Sequence, residues 1–273
     1  MRLVKSCRPE HNVRTTLAAQ IQLGTFNYYR AHENQEIADS LEASNSLAVS
    51  IRGPIKIPAR FYNALVGERF SFEAERYPPI CKLPTALETH VKILRVRLGD
   101  PVLVFEAEFD IHRALPNGFT FCMSQLDDAS IRPFQSYEDS WSIPWEKADL
   151  FAWHLGRMVA MQHEPGWFEP RFLEDWESGK IAAGKLVFNT HHRAVLYSDR
   201  ELKILSGTED ELNKVFTRIR TLAFTKPSHF APEREYRFLV NAVCEHPDGT
   251  RTIYLAGKDY IRLNCDIPWR ELS

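Results

Sequence analysis

The chain has 273 residues, of which 44% are hydrophobic and 26% charged, and its formal net charge at pH 7 is -2. This composition predicts a globular protein with an ample core and excludes an intrinsically disordered chain. The near-balance of charge argues against a protein that coats nucleic acid by bulk electrostatics, although a local basic groove is compatible with it.

The cysteines and the start of the chain indicate a reducing compartment. No two cysteines have the two-residue spacing of a zinc ribbon or a redox pair, so free, buried or half-buried thiols are predicted at Cys7, Cys81, Cys122, Cys244 and Cys265. The basic first residues are not followed by an apolar run, and no stretch is long enough to cross a bilayer. We therefore expect a cytoplasmic protein with no membrane partner.

The first half of the chain is predicted to contain one helix followed mainly by strands. Residues 12–23 carry apolar positions at helical spacing and stop at Gly24, which favours a helix with a glycine end. Residues 25–30 are aromatic and extended in character, which predicts a short strand. The polar, acidic residues 31–46 are predicted to form a helix or loop on the surface.

Strand signals dominate residues 47–125. Alternating and β-rich runs predict strands at 90–98, 102–111 and 119–125. Prolines between positions 54 and 84 predict that the earlier strands are short or lie at an edge, because proline cannot donate to a sheet.

The second half is predicted to contain two helices and then strands. The first helix covers 145–163, and the second starts at the capping box 208–211. Strands are predicted at 235–244 and 251–256, and 258–263 is a candidate for a third.

These elements predict an α+β fold with mixed, mostly antiparallel sheets and helices inserted between strands. No Gly/Ser-rich linker divides the chain, so residues 1–273 are predicted to form a single domain. The sequence has no phosphate loop, dinucleotide-binding fingerprint, nucleophile elbow or zinc-protease helix motif. These absences lower the expectation of the corresponding enzyme classes without arguing against catalysis.

The most informative segment for function is 224–238, in which the polar cluster Glu-Arg-Glu-Tyr-Arg precedes the apolar part of a strand. In an extended chain Glu233, Glu235 and Arg237 point to one face. Adjacent carboxylates repel each other unless a cation shares the face, and a shielded pair can stabilise positive charge that develops on a sugar. The alternative interpretation is a charged strand end whose ion pair has only a structural role.

Three segments in chain order carry a resemblance. Tyr28–Arg30, Cys122–Ser124 and Glu233–Glu235 look like the arginine–serine–glutamate layout of ADP-ribosyltransferase-fold enzymes. More narrowly, the late signature from Lys226 to Phe238 resembles an uncharacterised bacterial abortive-infection-related (AbiGi-like) domain family. The middle segment departs from the better-known members, because Ser124 is followed by glutamine and not by a Thr-Ser pair.

The resemblance implies an ADP-ribosyltransferase-like fold that binds NAD as a substrate, with no metal. Arg30 would grip a phosphate of NAD through its planar guanidinium. Tyr28 or Tyr29 would cover the nicotinamide or adenine ring. Arg237 would complete the binding set as the cation beside the carboxylates.

The catalytic roles are implied in the same way. Glu235 would bind the ribose 2′-hydroxyl and stabilise the oxocarbenium-like state as nicotinamide leaves. Glu233 would orient or deprotonate the acceptor, and Ser124 would steady the nicotinamide-side ribose. The implied protein is an effector in bacterial defence or a toxin system. Its acceptor, a protein or a nucleic acid, is left open, and an antitoxin or regulatory partner is expected.

Two other functions remain open from the residues alone. A metal-dependent nuclease toxin would use Glu233, Glu235, Lys226 and Asp127 around a divalent cation. A non-catalytic sensor or partner-binding module would use the same charges only to hold strands together. If Glu233 serves as an ion-pair partner, transfer to a protein is not expected, and either hydrolysis of NAD or a substrate other than protein takes its place.

Overall fold

The computed structural model describes most of the chain, namely residues 1–16, 20–31, 43–66, 86–99, 101–115, 117–128, 134, 136–178, 185–199, 201–204, 209–246, 249–253, 255–257 and 260–265. Its contacts divide the chain into two compact units. Unit 1 consists of Met1–Glu42, Pro116–Tyr197 and Ser228–Ser273, and unit 2 of Ala43–Leu115 and Ser198–Pro227. That residues 1–273 form one domain stays a prediction.

The predicted class is confirmed, because strands alternate with helices and most strand pairs are antiparallel. The strands are β1 (Arg2–Cys7), β2 (Gln20–Thr25), β3 (Ser44–Ile57), β4 (Ala86–Arg97), β5 (Val102–Ala114), β6 (Phe119–Leu126), β7 (Asp139–Pro144), β8 (Lys185–Ala194), β9 (Leu196–Tyr197), β10 (Glu201–Ile204), β11 (Thr225–Lys226), β12 (Glu235–His246), β13 (Gly249–Thr252) and β14 (Tyr260–Asn264). The α-helices are α1 (Pro9–Thr16), α2 (Phe26–Arg30), α3 (Ala59–Val66), α4 (Ala148–Gln162), α5 (Pro170–Glu177) and α6 (Glu209–Arg220). Short 3₁₀ helices occupy Trp145–Lys147, Pro165–Trp167, Leu222–Phe224 and Ser228–Glu233.

Unit 1 is built on a sheet of eight described strands with β6 and β12 at its centre. Strand β12 pairs antiparallel with β6, β8 and β13, whereas β6 also pairs with β1 and β2. Strand β7 pairs with β1, and β14 pairs with β2. Every pair in this sheet is therefore antiparallel, and β6 and β12 have neighbours on both sides.

The two faces of this sheet differ because side chains alternate along each strand. Phe121 of β6 and Phe238 of β12 join Phe151 and Leu155 of α4 in an apolar core. The alternate positions of the same two strands form what we call the polar face, which carries Thr120, Cys122, Ser124, Glu235, Arg237 and Asn241. Burial of the apolar face on α4 fixes the register, since a one-residue slip would exchange the faces.

Unit 2 contains a four-stranded sheet with the order β10-β3-β5-β4, in which only the β10–β3 pair is parallel. Its core is apolar and includes Phe109 and Ile111 of β5, Tyr62 and Leu65 of α3, and Val215 of α6. Charged residues on the strands, such as Glu108, point to solvent.

Most predicted strands and the helix predicted at 145–163 are confirmed. Strands β4, β5, β6 and β12 cover the predicted segments, and α4 covers most of the segment predicted as helix. The described cysteines are free thiols and are buried or half-buried, as predicted: Cys7, Cys122, Cys244 and Cys265. Cys81 lies outside the described residues.

The predicted helix at 12–23 is wrong in its second half. Helix α1 ends at Thr16, and Gln20–Thr25 form strand β2, which pairs with β14. Ile21 and Leu23 are buried while Gln20 and Gln22 alternate with them, which is strand periodicity. Gly24 is consequently a strand residue and not a helix end.

The short strand predicted at 25–30 is also wrong, because Phe26–Arg30 form helix α2. The side chain of Thr25 accepts a hydrogen bond from the backbone N–H of Tyr28 and caps this helix. Such a cap satisfies a donor that the helix itself cannot, and here it overrides the strand preference of the aromatic residues.

The expectation that prolines keep the early strands short or at an edge is met only in part by β3. This strand is long, Ser44–Ile57, but it pairs with β10 only from Ser46 to Val49, so among the described residues Pro54 has a neighbouring strand, β5, on one side alone. Its register shifts between Arg52 and Ile55, and Gly53 has φ of 112°. A bulge at Gly53 therefore accommodates Pro54 inside a long strand.

Two further predictions fall largely outside the described residues. Thr208 of the capping box is not described, although the helix that it would cap is present as α6. Residues 32–42 of the acidic segment are also outside, and its end forms the start of β3. Within the described part of the chain, no helix has the length and hydropathy needed to span a membrane.

Candidate active site

The centre of the candidate site is the pairing of Glu235 with Ser124. The antiparallel register of β12 on β6 makes these two residues direct Cα partners, so their side chains share the polar face. Glu235 is 4% exposed and Ser124 is 3% exposed. The structure thus brings together two residues from the middle and late segments of the sequence, although sequence alone could not give their register.

Arg237 holds the Glu235 carboxylate from the same strand. Its Nε donates a hydrogen bond of 2.7 Å to Oε1 of Glu235, and the two side chains are 1% and 4% exposed. Residues i and i+2 of a strand lie on one face, which explains how the sequence positions this pair. Burying these two charges is costly because both lose their hydration, and their mutual attraction offsets part of that cost. Loss of one partner would therefore leave the other as an unpaired buried charge.

Tyr29 lies within electrostatic range of this pair. Desolvation raises the pKa of its hydroxyl well above the ordinary value. Cys122 and the Glu235 carboxylate raise it further, whereas Arg237 opposes the rise. Gly24 makes room for the ring, because a Cβ built there would lie 2.8 Å from Cε2 of Tyr29. Tyr29 therefore remains a neutral donor over a wide range of pH.

Glu233 does not share the strand with Glu235, and the prediction that both extend along one face is wrong. Glu233 is the last residue of the 3₁₀ helix Ser228–Glu233 and is buried. Between the two carboxylates, Arg234 has φ of 46°, which breaks the strand alternation. The backbone of Arg234 is tied down, because its carbonyl accepts from the N–H of Gln125 at 2.7 Å.

Arg30 and Tyr28 lie on α2. Nη1 of Arg30 donates to Oδ1 of Asn27 at 3.0 Å, and the residue as a whole is half-buried, although its Nη2 is buried. The ring of Tyr28 packs edge-to-face on Tyr29 at 5.3 Å and on Tyr260 at 6.1 Å between centroids. The tyrosines thus form one aromatic group, and its member Tyr29 is the one coupled to Glu235.

Sequence reasoning missed two residues that support the centre. Nζ of Lys5 donates to the carbonyl of Cys122 at 2.9 Å and lies 4.8 Å from the centroid of Phe121. Burial lowers the pKa of Lys5, partly offset by Cys122, Cys7 and Glu235. The hydroxyl of Tyr197 accepts the backbone N–H of Glu235. Residues 2–7 do not alternate between polar and apolar side chains, and no local signal indicates Tyr197, so the sequence singled out neither residue.

The metal site predicted as an alternative also includes Asp127 and Lys226. Asp127 is exposed, and its Oδ2 lies 3.9 Å from Nη2 of Arg234. Lys226 is buried in unit 2. Among the described residues, no group of three His, Cys, Asp or Glu side chains is arranged to hold a metal ion. The nuclease interpretation stays a prediction.

The arrangement combines the fixed carboxylate of Glu235, the hydroxyl of Ser124 opposite it and the desolvated Tyr29. A carboxylate in a site of low polarity interacts strongly with positive charge that develops nearby. Arg237 and Tyr197 hold Glu235 from its side chain and its backbone, so the carboxylate needs little reorganisation to act.

Comparison of the chain with protein-family models, with curated proteins and with solved structures finds no match.

Proposed function

We propose that this chain is an NAD-consuming enzyme with an ADP-ribosyltransferase-like fold, which acts as an effector in bacterial defence or a toxin system. The observation that carries the proposal is the register that sets Glu235 beside Ser124 on the buried polar face. Burial of a carboxylate and an arginine in a sheet centre is costly, and such costs are concentrated at functional sites.

In the proposed reaction, the bond between ribose C1′ and the nicotinamide nitrogen breaks, and its electron pair leaves with nicotinamide. Glu235 accepts a hydrogen bond from the ribose 2′-hydroxyl and stabilises the oxocarbenium-like transition state. Water or a macromolecular nucleophile then forms a bond to C1′ and loses a proton. Glu233 is the proposed acceptor of that proton, and the products are nicotinamide and ADP-ribose, free or attached.

The remaining residues bind and position. Arg237 fixes the Glu235 carboxylate, Ser124 steadies the ribose, and Tyr29 covers the ring that leaves. Arg30 binds a phosphate through its guanidinium. Because Arg237 bonds directly to Glu235, its proposed role is positioning of the carboxylate and not contact with NAD.

One observation favours a second function. The Glu235–Arg237 pair is short and buried, so the same charges can serve to hold the strand end in a non-catalytic sensor or partner-binding module. In that case neither residue acts on a substrate, and a conservative change that preserves the hydrogen bond leaves every activity intact.

Release of nicotinamide from NAD tests the proposal. We would incubate the wild-type protein, Glu235→Gln and the control Glu146→Gln with NAD and cell extract, since Glu146 is an exposed residue of unit 1. The glutamine keeps an acceptor for Arg237 but removes the charge. We expect Glu235→Gln to lose on the order of 100-fold in rate or more and the control to match wild type. Equal rates for all three, or release by none of them, would contradict the proposal.

A further inference from the structure

Among the described residues, two asparagine side chains near the far end of the polar face have amide nitrogens without an acceptor. Nδ2 of Asn117 and Nδ2 of Asn241 are both buried, and within the described part of the chain neither has a hydrogen-bond partner. Asn241 lies on β12 and is 6% exposed, whereas Asn117 is half-buried just before β6. A buried donor without an acceptor loses its hydration without replacement, which natural proteins avoid unless an ordered water or a ligand supplies the acceptor.

The orientation of Asn117 is fixed by its neighbour. Its Oδ1 accepts a hydrogen bond of 3.1 Å from the backbone N–H of Asn27. A backbone N–H can only donate, so the atom that faces it must be the oxygen, and Nδ2 must point elsewhere as a donor. The unsatisfied nitrogen is therefore not an effect of an amide placed the wrong way round.

Gly118 brings the two asparagines together. A Cβ at this position would lie 2.6 Å from Oδ1 of Asn241, so only glycine lets the amide approach the backbone beside Asn117. On the other side, Asn117 connects through Asn27 to Arg30, whose Nη1 donates to Oδ1 of Asn27. Asn27 and Arg30 are half-buried, so part of each residue is exposed to solvent.

The position of these donors relative to Glu235 indicates which part of a ligand they meet. Asn241 follows Glu235 by six residues along β12, which in a strand corresponds to roughly 20 Å. A ribose at Glu235 therefore cannot reach Asn241, but the adenosine monophosphate half of a dinucleotide extends away from that ribose. That half offers ring nitrogens, hydroxyls and phosphate oxygens as acceptors, and its negative charge suits the nearby Arg30.

We propose that Asn117 and Asn241 form a second subsite that binds the adenosine monophosphate half of the dinucleotide through their amide N–H groups. The inference rests on the proposed function for the identity of the ligand, and on the two unsatisfied donors for the place of binding. It predicts that the site distinguishes NAD from nicotinamide mononucleotide, which lacks this half.

The test measures binding of AMP by calorimetry to wild type, Asn241→Leu, Asn117→Asp and the control Asn189→Leu. Asn117→Asp keeps the acceptor for Asn27 and removes the donor, and Asn189 is the exposed Cα partner of Asn241 on β8. We expect about tenfold weaker binding or more for the first two variants and unchanged binding for the control. Asn241→Leu should be at least as stable as wild type, because a buried donor without an acceptor is removed.

The outcomes separate this inference from the proposed function. AMP binding that depends on Asn241 and Asn117, without release of nicotinamide from NAD, would support the subsite and contradict the enzyme. Nicotinamide release that depends on Glu235, with AMP affinity unchanged in both variants, would overturn the subsite and leave the enzyme. Failure of wild type to bind AMP, or loss of binding only in variants that have unfolded, would also overturn the subsite.

Discussion

The two larger sheets of this protein differ in where they place charge. In the four-stranded sheet of unit 2 no buried residue among those described is charged, and Glu108 lies 3.9 Å from Arg52 and from Lys92 with a side chain that is 49% exposed. In unit 1 the central strands bury an apolar face against α4 and bury Glu235 and Arg237 on the other face. The four-stranded sheet of unit 2 thus forms, in its described residues, without a buried charge. Buried charge is therefore not required to complete a sheet, in agreement with the function that we propose for the polar face of unit 1.

The largest expected difference between the two sheets concerns their ion pairs. Arg237→Met would leave the Glu235 carboxylate buried without its cation, and we expect a loss of about 3–5 kcal/mol in the free energy of unfolding. Urea denaturation followed by tryptophan fluorescence measures this in unit 1, since every tryptophan lies in the segments of that unit. Arg193→Met is the matched control, because Arg193 is the exposed Cα partner of Arg237 on β8. A loss below about 1 kcal/mol would contradict the costly burial that we infer.

A smaller effect is expected where the backbone makes room for Tyr29. Gly24→Ala would push a methyl group to 2.8 Å from the ring of Tyr29 and 3.0 Å from that of Tyr28. We expect a loss of about 1–3 kcal/mol, as for other overpacked sites. Gly166→Ala is the control in the same unit, because its Cβ would meet nothing within 4 Å. Equal stability of both variants would show that the packing of Tyr29 does not require a glycine at position 24.

A pH effect should follow from His154 on α4. Burial and the nearby Arg157 lower its pKa from 6.5, so the folded protein binds this proton less tightly than the unfolded chain. Stability from this group is present above about pH 6.5 and falls as the pH drops below it. Replacement by glutamine should therefore flatten the decline in stability between pH 7 and pH 5. Parallel profiles for the two proteins would contradict this assignment.

The smallest effect is expected at the exposed pair of unit 2. Glu108→Gln removes the charge that faces Arg52 and Lys92 at 3.9 Å. Exposed pairs contribute little, so we expect a change of about 0–0.5 kcal/mol, measured by circular dichroism during urea denaturation. A loss of stability as large as that of Arg237→Met would contradict the claim that the buried pair of unit 1 contributes more than the exposed pair of unit 2.

The sequence predicted the strands of the site better than their arrangement. Alternation in residues 119–125 and the apolar run after Glu235 are local signals, so β6 and β12 could be predicted. Their register could not, because it depends on packing of the apolar face against α4. The positive φ of Arg234 was equally unpredictable, since arginine rarely adopts it, and it separates Glu233 from the strand of Glu235.

Local capping explains the main error near the start of the chain. Residues 26–30 have strand-forming aromatic character, but the Thr25 cap starts a helix there. This change moves Arg30 from a predicted strand to the end of α2, where it bonds to Asn27. Tyr29 lies on the same helix and its pKa is raised in part by Glu235, so a wrong local prediction still named a residue of the candidate site.

The most direct test of the central claim is a double variant, Glu235→Leu with Arg237→Met, assayed for both stability and nicotinamide release. A buried ion pair replaced by apolar side chains of similar size is often neutral or stabilising. We therefore predict a free energy of unfolding equal to or above that of wild type, together with complete loss of nicotinamide release from NAD. A double variant that is several kcal/mol less stable, or one that releases nicotinamide at the wild-type rate, would contradict the claim that the polar face is retained for catalysis.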